Sequence, residues 1–325
     1  MRTGWTALLF VATASITFAN VASAEEFAAH DEYVYMIRFS ADGRIMATAA
    51  GDNRAIIWDW PARTKRHVLQ HDAAVYATAV RGDGKQLATA SGDGYVTLWD
   101  VQSGEQTARV KQHGDAVYCV DYAPDSQQLA SIGGHGTRGD TACRIWSVPK
   151  FAVIAKLAEH ERPAYALAFS PDGKSLITTG GDKKILLQPW PGSKTPESAV
   201  DCTLLGHSSD VYRCAFSPDG KWLATASQDK TVRVWNMTTL KIEKTLSDSK
   251  DPVYSVAYSH DGNRLAAVGD DGRVRTWQTS DYSLLGTETV ASEALYAVAF
   301  TPDDKQLVAG GTDGKLVLIA APPAR

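Results

Sequence analysis

A tyrosine followed by a short apolar run returns seven times, at Tyr35, Tyr76, Tyr118, Tyr165, Tyr212, Tyr254 and Tyr296, in steps of 41, 42, 47, 47, 42 and 42 residues. A unit of this size cannot bury its own apolar face and must stack on its neighbours, so a fixed period in this range points to a propeller or solenoid. The unit reads most clearly from His207 to Asn236. Val211 to Phe216 is a run of β-formers, Ser217-Pro218-Asp219-Gly220 a turn, Lys221 to Ser227 a second run, and Gln228-Asp229-Lys230 a turn into Thr231 to Trp235. In the first turn Pro218 fixes φ, Asp219 bonds local backbone and Gly220 accepts positive φ. Each copy also carries a less regular fourth segment, such as Leu240 to Leu246, suited to an outer strand.

This unit resembles the tryptophan-aspartate (WD) repeat. The resemblance rests on Gly206-His207, the Asp229 turn and the closing Trp235, with Trp58-Asp59 and Trp99-Asp100 preserving the dipeptide itself. It covers roughly residues 25 to 320 and implies an all-β, seven-bladed β-propeller with four antiparallel strands per blade. The last copy stops after its third strand, and Glu25 to Ala29 is expected to pair with Leu316 to Ile319 as the missing fourth, shielding that edge.

The resemblance also implies a structural tetrad of His, Ser or Thr, Asp and Trp in each blade. It is expected to be complete in the second copy (His71, Thr89 or Ser91, Asp93, Trp99) and in the fifth (His207, Thr225 or Ser227, Asp229, Trp235). The first copy keeps His30, Asp52 and Trp58, the third His113, Asp140 and Trp146, and the fourth has Gln188 at the Trp position. The sixth has Ser249 for His, and the seventh has Ala291 and Ile319 around Asp313.

Ahead of the repeats, residues 1–24 carry Arg2, a mostly apolar stretch from Ala7 to Ala19, and Ala22-Ser23-Ala24. This pattern predicts a secretory signal peptide cleaved between Ala24 and Glu25, and therefore a periplasmic or secreted protein whose residues 25–325 form one propeller. Of 33 Lys and Arg residues only Arg2 lies in this leader, so 32 bases face 37 acids in the mature chain, a net charge of −5. That balance argues against a nucleic-acid partner.

Strict alternation along the first strand puts Tyr35, Ile37 and Phe39 on one face and small residues on the other, as in Ala77-Ala79, Ala166-Ala168 and Ala297-Ala299. Large-into-small packing between blades follows. On that reading the tyrosines are inter-blade filler; the competing reading is an aromatic collar around the channel mouth. Arg38, Asp121 and Arg213 are charged where other copies have mostly small residues, and such charges must find water, a partner or a ligand. They are expected to line the central channel, with a local ion pair favoured over a ligand site.

Little in the sequence suggests chemistry. Five of the eight histidines are tetrad residues on different blades, and His67, His135 and His260 stand apart, so neither a metal nor any other cofactor is expected. The chain has no Gly-x-Ser-x-Gly elbow and no Gly-rich phosphate loop. Cys119 and Cys143 fall on the first and third strands of one blade, about 9.5 Å apart and too far for a disulfide; all four cysteines are expected as reduced thiols.

Two insertions break the period: Gly133 to Gly139, with His135 and Arg138, and Pro189 to Glu197. The first lies on the face of the tetrad His loops, the second on the opposite face near Trp60, Trp190 and Trp222. Exposed tryptophans are enriched in interface hot spots, so Trp60, Trp190, Trp222, His135 and Arg138 are the candidate partner-binding residues. The sequence thus predicts a monomeric, non-enzymatic scaffold or adaptor for an envelope protein; the alternative is an enzyme or small-ligand binder using the channel mouth.

Overall fold

The computed structural model describes residues 24–134, 140–148, 150–190 and 202–325. Most of the leader, His135 and Arg138, and most of the second insertion lie outside these residues. Seven antiparallel four-stranded sheets follow one another around a ring. Their innermost strands are Val34–Phe39, Val75–Val80, Val117–Tyr122, Ala164–Phe169, Val211–Phe216, Val253–Tyr258 and Leu295–Phe300, numbered here as blades one to seven. In the first six blades the strands run outward in chain order.

Blade seven is finished from the other end of the chain, as expected. Glu25–Ala28 lies antiparallel to Lys315–Ala320, with Glu25 opposite Leu318 and Ala28 opposite Lys315. The seam has further fastenings. Lys315 Nζ lies 2.8 Å from Glu26 Oε2, Arg63 Nη1 lies 2.6 Å from Glu25 Oε2, and the His30 amide donates to Gly314 O at 2.9 Å. At Gly314, φ is +72° and a Cβ would stand 2.3 Å from His30 O, so only glycine fits. Phe27 meets Trp58 edge-on, with ring centroids 5.7 Å apart.

Large faces do pack on small ones between blades. Val211, Leu223 and Trp235 of blade five sit against Ala166 and Ala168 of blade four, and Val253, Leu265 and Trp277 of blade six against Ala224 and Ala226 of blade five. The ring closes with the same contact, Val34, Ile37 and Trp58 of blade one against Ala297 and Val308 of blade seven. Alanine columns let adjacent sheets approach closely, and the facing bulk fills the space to interior density.

One irregularity repeats in every blade. The inner strand gains an extra residue at the tyrosine: Val34 pairs with Ala50 while Met36 pairs with the adjacent Ala49, and the same shift occurs at all seven copies. A bulge resets the alternation of side chains. The residue before each tyrosine therefore joins Ile37 and its counterparts in the core, and all seven of these residues, Val34 to Leu295, are buried.

Deleting residues 25–28 should expose the Lys315–Ala320 edge and lower the melting temperature by roughly 10 °C, a few kcal/mol in a protein of this size. Calorimetry of the truncated protein checks this; an unchanged melt would show that the seam contributes nothing.

Candidate functional site: the tyrosine collar and the channel

The bulges turn the seven tyrosines out of the inter-blade core and into the channel mouth. Successive rings stand 5.1, 5.0, 5.7, 5.3, 5.3 and 5.0 Å apart from Tyr35 round to Tyr296, and Tyr296 returns to Tyr35 at 5.9 Å. The collar is unbroken, half-buried, and encloses about 230 Å³. Tyr33 adds an exposed eighth ring against Tyr35 and Tyr296. The filler reading is therefore corrected, because it assumed an alternation that the bulge interrupts.

Carboxylates stand around this mouth. Tyr165 Oη donates to Asp210 at 3.2 Å and Tyr254 Oη to Asp270 at 3.1 Å. Burial pushes every collar hydroxyl upward, Tyr212 to about 12, and the charges of Glu32, Asp115, Asp210, Asp270 and Glu293 add to the shift of their neighbours. The phenols are thus neutral in use. They offer π-faces and hydroxyls inside a negatively charged rim.

Below the collar the three charged exceptions, Arg38, Asp121 and Arg213, line one cavity from blades one, three and five. Arg213 forms the collar floor and crosses the channel; its Nη2 donates to Tyr35 O at 3.0 Å and its Nη1 lies 3.9 Å from Cys119 Sγ. Arg38 Nη2 stands 3.9 Å from Asp121 Oδ2, with 42% and 29% of the two side chains open to the channel. Burial raises the Asp121 pKa, against the pull of Arg38. A second chamber of about 360 Å³ opens from these three residues to the opposite mouth, past Pro171, Pro218 and His260. Among the described residues no three His, Cys, Asp or Glu side chains converge as metal ligands.

The tetrads decide between the two hydroxyls left open by the sequence and depart from expectation in which blades are complete. The hydroxyl is Thr89 in blade two and Thr225 in blade five, bonded to His71 Nε2 at 2.8 Å and His207 Nε2 at 2.7 Å; it is neither Ser91 nor Ser227. Thr89 lies diagonally across the ladder from Trp99, whose indole reaches it at 2.9 Å, whereas Ser91 sits two residues nearer the turn and donates to Asp93. Ser227 likewise serves the loop, donating to Asp210 O at 2.8 Å.

Blade two is also incomplete. Asp93 is held by Ser91 and by Arg109 at 2.7 Å, and His71 Nδ1 turns to Leu69 O at 3.2 Å. Blade one is whole instead: Trp58 Nε1 donates to Thr48 at 3.0 Å, Thr48 bonds His30 Nε2 at 2.8 Å, and His30 Nδ1 reaches Asp52 at 3.0 Å. Blade five repeats this, with His207 Nδ1 2.8 Å from Asp229.

In these relays the carboxylate needs a donor, so the neutral imidazole carries its proton on Nδ1. Blade three reverses the tautomer. Arg144 Nη1 donates to His113 Nδ1 at 3.0 Å, which leaves Nε2–H to donate to Ser131 at 2.8 Å.

Trp190 is not an exposed docking residue. It is only 4% exposed, its amide donates to Lys174 O at 2.8 Å, and its ring meets Phe169 edge-on at 4.6 Å. Trp60 holds the same place in blade one, bonded to Arg44 O at 2.8 Å and set against Phe39 at 5.1 Å. Both cap the end of a blade core. Trp222 is half-buried beside the core formed by blades five and six.

Fold and channel together define a repeat propeller with a preformed aromatic mouth. The WD domain, G-beta repeat model matches residues 22–59, 63–100, 104–147, 151–187, 200–236, 240–278 and 283–319, and the chain belongs to this family. Each matched stretch from the second onward begins in or just before one blade's outer strand and ends on the third strand of the next. The first stretch therefore brings the strand that completes blade seven. No curated protein matches the chain.

Burial lowers the pKa of His30, His71, His113 and His207, that of His71 to about 4 and of His113 to about 3. Groups that fold neutral contribute stability above the unfolded value of 6.5 that is lost as pH falls toward the folded value. Unfolding by urea should therefore lose roughly 3 kcal/mol through His71 alone between about pH 6.5 and 4. His71→Asn should remove that share of the slope, and a wild-type profile flat across this interval would contradict it. Imidazole ¹⁵N shifts should place the proton on Nδ1 in His30 and His207 and on Nε2 in His113; one common tautomer would refute the assignment.

Proposed function

We propose that the protein is a non-enzymatic docking module of the bacterial envelope. On this reading residues 1–24 export it, cleavage after Ala24 releases a propeller of residues 25–325, and the collar face holds a partner protein in the periplasm. The observation that carries the reading is the continuous ring of seven tyrosines at a solvent-open mouth. Aromatic side chains at an exposed position supply large contact area at little conformational cost. A rigid ring built from seven blades holds them in place before a partner arrives, which lowers the ordering cost of association.

The charge of the rim selects the partner. Glu32, Asp115, Asp210, Asp270 and Glu293 favour a segment rich in Lys or Arg, whose cations also suit the tyrosine faces. The burial of Trp190 moves the docking surface away from the opposite face, and Trp222 keeps at most a peripheral role. His135 and Arg138 lie outside the described residues and stay with the proposed surface on the sequence alone.

The test is capture from a periplasmic fraction by the tagged mature protein, with Tyr118→Ser/Tyr254→Ser and Trp222→Ala compared. A basic protein should bind the wild type and Trp222→Ala, be lost at least tenfold from the collar variant, and elute as salt is raised several-fold from about 0.1 M. Equal capture by the collar variant and wild type would defeat the proposal.

A further inference from the structure

The channel waist holds an unbalanced charge. Arg213 is half-buried, with the collar above it and the second chamber below. Its recorded partners are a backbone carbonyl at 3.0 Å and a thiol at 3.9 Å, both neutral, and among the described residues no carboxylate lies within ion-pair distance of it. Arg38 faces the same chamber, and its Nε is buried without a hydrogen-bond partner. Asp121 is the only carboxylate among the described residues lining that chamber; it stands at the outer limit of contact with Arg38 and already accepts the Tyr122 amide at 3.0 Å. Two guanidinium groups thus share one weakly engaged acid. A partly buried charge without a full counter-charge is costly, and among the described residues Asp121 balances only one of the two guanidinium groups.

We infer that the lower chamber is a binding site for a small oxyanion, a phosphate or the carboxylate of a small organic acid, held between Arg38 and Arg213. Planar guanidinium groups present paired N–H donors that match the spacing of oxyanion oxygens. The chamber has room, at about 360 Å³, and opens to solvent past Pro171, Pro218 and His260. Beside this mouth the turn carboxylates Asp172, Asp219 and Asp261 are each set against a base, Lys174, Lys221 and Arg264, so entry here meets less repulsion than at the acidic collar rim. Repeat comparison singles out the same residues: at the Arg38 position five of the other six blades carry Ala, and at the Arg213 position the others carry Met, Cys, Ser or Ala. Arg213 touches both chambers, but docking is read by capture through the tyrosines and oxyanion binding by melting temperature, so either can fail without the other.

Thermal unfolding of the mature protein in chloride, inorganic phosphate, sulfate or succinate at equal ionic strength tests this. At saturating oxyanion the wild-type melting temperature should rise by about 3 °C or more over chloride. Arg213→Met and Arg38→Met should lose that rise, and Arg213→Met in chloride should melt no lower than wild type, since it removes an uncompensated charge. A response to phosphate and sulfate alone assigns a tetrahedral anion; a response to succinate alone assigns an organic acid. Crystals of wild type grown with selenate should show an anomalous peak between Arg38 and Arg213, a readout that needs no variant. Absence of any oxyanion response in wild type, an equal response in the variants, or, where phosphate or sulfate gives the response, a selenate peak confined to other positions would overturn the inference.

Discussion

Every blade must be thick on one side and thin on the other, and the ring depends on this asymmetry. The alanine columns along Ala166-Ala168, Ala224-Ala226 and Ala266 receive the valines, leucines and tryptophans of the next sheet. Seven such contacts, each set by residues that recur in the sequence, fix the angle between neighbours and hence the number of sheets that close. A single large residue in an alanine column would wedge two blades apart and strain the whole circle, because no contact in a closed ring can relax alone.

The polar interior shows a different economy. Each relay from tryptophan through a hydroxyl and histidine to an aspartate satisfies groups that the packing buries, and the relays vary more than the apolar contacts do. Blade three substitutes an arginine and reverses a tautomer; in blade six the Trp277 indole reaches Asp248 at 2.9 Å, with Asp271 bound to Arg275. What is kept in most blades is a polar partner for the buried groups, although Gln188 Oε1, at the Trp position of blade four, has none. The identity of the partners is free to drift.

Much of this was legible from periodicity. The number of blades, their strand order, the seam at Glu25–Ala28 and the convergence of Arg38, Asp121 and Arg213 all follow from the spacing of repeated residues. The collar was misread because a bulge of one residue leaves no mark in a pattern of alternating size; only the invariably aliphatic residue before each tyrosine hinted that the core position had shifted. Thr48 escaped notice because blade one carries Ala50 where blades two and five carry a serine, which drew attention to the wrong position. Trp190 looked exposed because its sequence neighbours break the repeat, whereas its amide bond to Lys174 folds it inward.

The seam couples the two ends of the chain across 289 positions. Bringing such distant segments together costs about 5 kcal/mol of chain entropy beyond a constant, and nothing is returned until the final strand docks. An almost finished circle is thus a poor compromise, with one raw margin and one unclaimed ribbon. Maturation becomes all-or-none at its last step: the polypeptide stays pliable until its tail has emerged, then snaps shut into a disc that resists fraying from either terminus.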